Sequence, residues 1–232
     1  MTKSLRAELL IVLTLTFGIS GVRAVLNLIN SLAAPQRLDE QSVTLNSSQS
    51  SLAWVDMGLQ LCSAGVLFSY GALALFLLAK DRIVPRAHRA RDWLEGAGLA
   101  ALIGLPGLAL YVAAVQLGWS KEVIPGDFAN AWVEIPVSLL KAAANAFAEE
   151  TVVVMWLMTR LRQARWSLPA TLAASSILRG SYHLYQGVSA GFGNIIMGLI
   201  YGYYYHRTGR VWPLVIAHFL IDAVAFVGYS FL

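Results

Sequence analysis

Phe147-Ala148-Glu149-Glu150-Thr151-Val152-Val153-Val154-Met155-Trp156-Leu157 sets two adjacent carboxylic acids inside a run that otherwise reads as hydrocarbon-soluble. Ionisable side chains at membrane depth are costly, and they mark functional sites more often than packing. Two later segments repeat the pattern: Arg179-Gly180-Ser181-Tyr182-His183-Leu184-Tyr185-Gln186-Gly187 and Ala217-His218-Phe219-Leu220-Ile221-Asp222. The stretch from Phe147 to Asp222 therefore decides the reading, because it holds acids and imidazoles on apolar segments that have no packing use for them.

The surrounding composition agrees. Of the 232 residues, 57% are hydrophobic and 13% charged, about half the charged share of a soluble chain, and the mean hydropathy is +0.62. This predicts an all-α integral membrane protein, a polytopic bundle of about seven transmembrane helices. Spans of ~20 residues each leave no room for a separate soluble domain, so residues 1–232 read as one helical domain. The net charge of +4 and pI near 9.3 come from basic residues clustered at the ends of apolar runs. That placement reports orientation in lipid and argues against a nucleic-acid partner. Cys62 is the sole cysteine; it cannot form an internal disulfide and reads as a small buried hydrophobe.

Seven apolar runs are expected as spans, at residues 6–30, 54–79, 93–118, 128–160, 168–187, 189–206 and 211–231. The first follows Lys3 and Arg6 and reads as a retained anchor, since Arg23, Asn27 and Asn30 suit a packed helix better than a leader. Lys80, Arg82, Arg86, Arg89 and Arg91 follow the second span, Arg160, Arg162 and Arg165 the fourth, and Arg207 and Arg210 the sixth. By the positive-inside rule this places the N-terminus in the cytoplasm and the C-terminus outside. Trp54, Trp93, Trp119, Trp132, Trp166 and Trp212 sit near span ends as interfacial anchors, and Tyr201, Tyr203, Tyr204 and Tyr205 read the same way.

The fourth span is longer than one crossing needs, and Pro136 is expected to kink it or split it, giving eight helices. Glu134, Ser138, Lys141, Asn145 and Glu149 recur every three or four residues along it and form one polar stripe. That stripe faces either a hydrated cavity or a hydrogen-bonded seam between helices. Pro169 after Ser167 and Pro213 after Gly209 are helix-start signals. Gly198 and Gly202 have the spacing of close helix packing within the bundle.

Counting at 1.5 Å per residue puts Glu149 ~17 Å, His183 ~22 Å, His218 ~10 Å and Asp222 ~16 Å from the cytoplasmic ends of their spans. Three helices can thus converge on one polar pocket. Arg179 and His183, like His218 and Asp222, are four apart and share a helix face, so Asp222 can orient the His218 ring. A Glu withheld from full solvation near histidines can take a proton from water. Two histidines can hold a divalent metal with Glu and water, or donate hydrogen bonds to an oxyanion. Both serve amide hydrolysis within the bilayer; a non-catalytic scaffold or a proton-coupled transporter is the alternative from another class.

At these residues the sequence resembles the CPBP family of intramembrane proteases, the CAAX protease and bacteriocin-processing (Abi) family. That family carries Glu-Glu on one membrane helix, a histidine ending a short motif on the next, and His-x-x-x-Asn/Asp on a later one. Glu149-Glu150, His183 and His218-x-x-x-Asp222 match in order and approximate spacing, over roughly Asn145 to Gly228. The resemblance implies a catalytic core over 128–230 and an endopeptidase acting on a peptide or protein substrate in the membrane. It further implies Glu149 as water-activating base with Glu150 and His183 as partners, and His218 and Asp222 as metal ligands or oxyanion stabilisers. If a metal such as zinc is bound, Glu149, His183 and His218 are its implied ligands; a glutamate-dependent reaction without metal is equally compatible. Val154 stands where the family often has Arg, and Arg179 where it often has Phe. Arg179 is therefore expected to supply the missing charge to Glu150, with Asn145 as a second supporting residue. The Arg-Gly-Ser-Tyr-His-Leu-Tyr-Gln-Gly version resembles a bacterial branch, which implies an inner (plasma) membrane location.

Overall fold

The computed structural model of the protein describes residues 2–124 and 131–228. Residues 128–130 of the fourth expected span, Asp127 of the loop before it and the last residues of the seventh lie outside the described residues. The described chain is all-α apart from β1 (Ser42–Thr44) and β2 (Glu122–Ile124), which pair in a small sheet. It divides into two compact units, each built from three separate stretches of sequence: Met1–Ser42, Leu105–Glu122 and Val152–Arg210, and Val43–Gly104, Val123–Thr151 and Val211–Leu232.

The first apolar run is broken. α1 (Lys3–Leu15) and α2 (Phe17–Ala33) meet at a 50° bend instead of forming one straight span. Thr16 leaves helical geometry at φ −111° and ψ −104°, and its hydroxyl donates to the Val12 carbonyl at 2.7 Å. A Cβ on Gly18 would stand 2.6 Å from the Leu13 carbonyl oxygen. The bend is thus closed on a position that only glycine fits.

In the same unit, α6 (Leu157–Gln163) and α2 lie against α7 (Leu168–His183), and α7 lies against α8 (Val188–Thr208). The start of α7 is as expected, with Ser167 Oγ accepting from the Ala170 amide at 3.3 Å and proline in the first turn. A Cβ on Gly198 would come 2.9 Å from Ser176 Cα, so its glycine serves α7–α8 approach within the unit, as its spacing implied. Arg160, expected as a loop charge, is buried: its Nε meets Glu8 Oε1 at 2.7 Å, and Trp156 Nε1 donates to the same oxygen at 2.9 Å. A guanidinium paired with a carboxylate can be held out of water where a lone one cannot. Arg162 and Arg165 stay exposed. Tyr201 is likewise buried, not interfacial, whereas Tyr203 is exposed.

The second unit contains α3 (Ala53–Ala79), the first half of α4 (Arg91–Gln116), α5 (Ala131–Glu149) and α9 (Trp212–Phe226), with α5 packed on α3 and α9. α5 runs unbroken through Pro136; regular α geometry gives way instead at Glu150–Trp156, which winds as a π-helix before α6. The hydrogen bond that Pro136 forgoes would have gone to residue 132, near the described start of the helix, so little is lost there. Phe147 carries the inner packing of this unit, stacked on Trp212 at 6.4 Å and tilted against Phe68 at 5.8 Å. Cys62 is exposed, not buried.

α3 and α4 are long and apolar enough to cross a membrane, and the bent α1–α2 pair makes a third candidate if counted as one span. Only 22% and 6% of the apolar windows of α3 and α4 are buried inside the protein. Hydrocarbon surface left outward on that scale belongs in lipid, which makes this a helical membrane protein. Trp54, Trp93, Trp119, Trp132 and Trp166 are all exposed, as membrane-interface anchors should be.

Candidate active site

Glu149 ends α5 and Glu150 opens the π-helical turn; both are buried, Glu150 completely. An i→i+5 turn widens the helix and re-aims the side chains that follow, and such segments recur at functional sites. On α9, His218 is buried and Asp222 partly so, one helical turn apart. The two helices deliver these groups to each other. His218 Nδ1 lies 2.8 Å from Glu150 Oε1. Asp222 Oδ1 lies 3.5 Å from His218 Nε2, and Asn145 Nδ2 donates to Asp222 Oδ2 at 2.8 Å.

The contact at 2.8 Å is a normal hydrogen bond, whereas 3.5 Å is beyond one. Glu150 therefore anchors the ring through Nδ1 at the shorter contact, and Asp222 faces Nε2 at the longer one. Sequence spacing alone points to the His218–Asp222 pairing; the structure keeps that contact and adds Glu150 as the closer partner. It also supplies what spacing could not, the bond from Asn145 across to Asp222.

The upper half of the α5 stripe has a different environment. Asn46 Nδ2 donates to Ser138 Oγ at 2.9 Å, and Lys141 Nζ donates to the carbonyl oxygens of Asn46 and of Gln60, the latter at 2.6 Å. Gln60 in turn donates to the Ser47 carbonyl at 3.0 Å. The stripe is thus a hydrogen-bonded seam to α3 and its preceding loop at one end, and an acid–imidazole cluster at the other. No residue pattern in 43–52 announces the seam, since Asn46 and Lys141 are 95 positions apart.

His183 and Arg179 belong to the other unit. His183 is the last residue of α7, and its Nδ1 lies 3.0 Å from the Arg179 carbonyl. A hydrogen on Nδ1 donates to that carbonyl. The His183 ring packs at 4.7 Å from Tyr182. Arg179 is fully buried, with Nη1 3.9 Å from Met197 Sδ and its guanidinium 5.7 Å from the centre of the Tyr201 ring, a cation–π arrangement. His88 and His206 are both exposed, as expected for loop and interface positions. Among the described residues, no group of three His, Cys, Asp or Glu side chains is arranged to hold a metal ion.

Residues 131–224 match the family described as type II CAAX prenyl endopeptidase Rce1-like. The match runs from the start of α5 to Val224 within α9 and takes in Asn145, Glu149, Glu150, Arg179, His183, His218 and Asp222, though less than half of the 232 residues. No curated protein and no solved structure is significantly similar to the chain. The family match and the apolar helices support an endopeptidase of the membrane.

Proposed function

We propose that the chain is an intramembrane endopeptidase in which Glu149 activates water against a peptide bond of a membrane-associated substrate. The observation that carries this reading is the buried 2.8 Å contact between Glu150 and His218, inside the region that matches the endopeptidase family. Glu149, adjacent to Glu150 in the motif, is the carboxylate assigned to water, as the resemblance implies. Glu149 takes one proton as the water oxygen bonds to the carbonyl carbon, then returns it to the amide nitrogen as the C–N bond breaks. With hydrogen on both ring nitrogens, His218 donates Nδ1–H to Glu150 and offers Nε2–H to the oxyanion. His183 keeps the catalytic role, and Arg179 the supporting one, that their motif positions imply. Unchanged activity in a well-expressed Arg179→Leu protein would remove Arg179 from this scheme.

The seven crossings and the cytoplasmic N-terminus belong to the same proposal. They are supported by Lys80 to Arg91, Arg162, Arg165, Arg207 and Arg210 at alternate ends, with Arg160 withdrawn from that count by its ion pair. A bacterial plasma membrane suits the motif variant at Arg179 to Gly187.

The test is terminal labelling of membrane proteins from cells carrying wild-type or Glu149→Gln protein at equal level. New protein termini that vanish in Glu149→Gln are expected. Glu149-dependent uptake of a solute without any cleaved product would establish the transporter instead, and an unaltered phenotype the scaffold.

A further inference from the structure

Asn145 stands on α5 one turn before Glu149, and its amide is tied to Asp222 Oδ2 at 2.8 Å. The other oxygen of that carboxylate, Oδ1, lies 3.5 Å from His218 Nε2, and His218 Nδ1 reaches back to Glu150 at 2.8 Å. The four side chains close a ring between two helices, leaving α5 at Asn145, crossing to Asp222, passing through His218 and returning at Glu150. The terminal torsion of an aspartate is soft and nearly two-fold, so Asp222 alone would not keep one chosen oxygen against the ring. With Oδ2 held by the amide, Oδ1 is fixed on the His218 side. An amide neither takes nor releases a proton near neutral pH, so Asn145 contributes geometry and no proton.

We propose that Asn145 is a positioning residue: by fixing the Asp222 carboxylate it fixes the His218 ring that Glu150 anchors. Its effect on turnover rests on the hydrolytic reading above; its effect on the ring does not. A bond that merely tied α5 to α9 would alter stability and leave the imidazole nitrogens alone. A positioning bond alters the nitrogens and the turnover number.

The experiment uses full-length protein in lipid nanodiscs with 15N-labelled histidine, the His218 signals being assigned by their loss in His218→Gln. Wild-type protein is compared with Asn145→Leu, Asn145→Asp and the double variant Asn145→Asp/Asp222→Asn. The double variant rebuilds the bond with donor and acceptor exchanged, leaving the new carboxamide oxygen toward the ring. Both single variants should displace the His218 ring-nitrogen resonances from their wild-type positions, and the double variant should return them. On the substrate recovered by terminal labelling, the singles should lose about 10- to 100-fold in kcat, the range for residues that orient a working group. KM should hold within about threefold, the mark of an interaction made in the transition state. Unmoved resonances in both singles overturn the proposal, as does a folded double variant whose His218 signals stay displaced. If the resonances move and return while no protein cleaves anything, positioning stands and the hydrolytic reading falls.

Discussion

On α5, Lys141 and Asn145 lie one turn apart on the same face, yet they finish in opposite kinds of company. Lys141 is capped by two neutral carboxamide oxygens, from Asn46 and Gln60. Asn145 leads to a carboxylate, then an imidazole, then a second carboxylate. Amides neither take nor release a proton at physiological pH, so the two carboxamides that meet Lys141 anchor the loop before α3 and relay no proton from it. Carboxylates and imidazole exchange protons with water, so the Glu150–His218–Asp222 cluster can relay one. A polar stripe on a membrane helix is therefore not one thing along its length, and the chemistry of its partners separates scaffold from reacting site.

The sharpest break in that contrast comes from the cluster itself. His218→Gln should lower kcat by about 10²- to 10⁴-fold, the range for a group that serves the transition state. Glu150→Gln should act in the same direction and also lower the melting temperature, since removing one partner of a buried charged pair costs about 3 kcal/mol or more. Thermal unfolding in detergent, read beside cleavage, separates the two effects. Equal activity in either variant would merge the cluster with the seam.

A smaller and opposite outcome is expected at Lys141. Lys141→Met strips the partner from Asn46 and Gln60 and should cost about 1–3 kcal/mol of stability. Turnover per folded molecule should stay near wild type, because Lys141 meets the carboxamides of Asn46 and Gln60 and not the acid–imidazole cluster. Smaller still is Ser138→Ala, which removes one hydrogen bond to Asn46 and should cost about 1 kcal/mol. Dialysis against EDTA separates the two forms of the reaction: unchanged cleavage marks the glutamate-dependent one, and lost activity restored by zinc the metal-bound one.

Much of the cluster is legible in the chain because its logic is local. Glu149 and Glu150 are adjacent, His218 and Asp222 are one turn apart, and acids within apolar helix call attention to themselves. Ser167 with Pro169 announces α7, and Gly198 announces its close approach to α7, for the same reason. What stays hidden is either long-range or cooperative. Glu8 finds Arg160 across 152 positions, which turns an expected loop charge into a buried pair. The π-helical turn at Glu150–Trp156 replaces the break expected at Pro136, because a proline near a helix start forgoes little while a widened turn depends on packing around it. Thr16 and Gly18 bend the first run by a local contact, yet nothing in Leu13 to Gly18 distinguishes a bent helix from a straight one before the backbone is seen.

The most direct test sets Glu149→Gln against Lys141→Met in parallel on one purified substrate, with cleavage and melting temperature read on the same preparations. The account predicts that Glu149→Gln keeps its fold and loses cleavage by about 10³-fold or more, while Lys141→Met melts earlier and cleaves normally per folded molecule. Full cleavage by folded Glu149→Gln protein would contradict it.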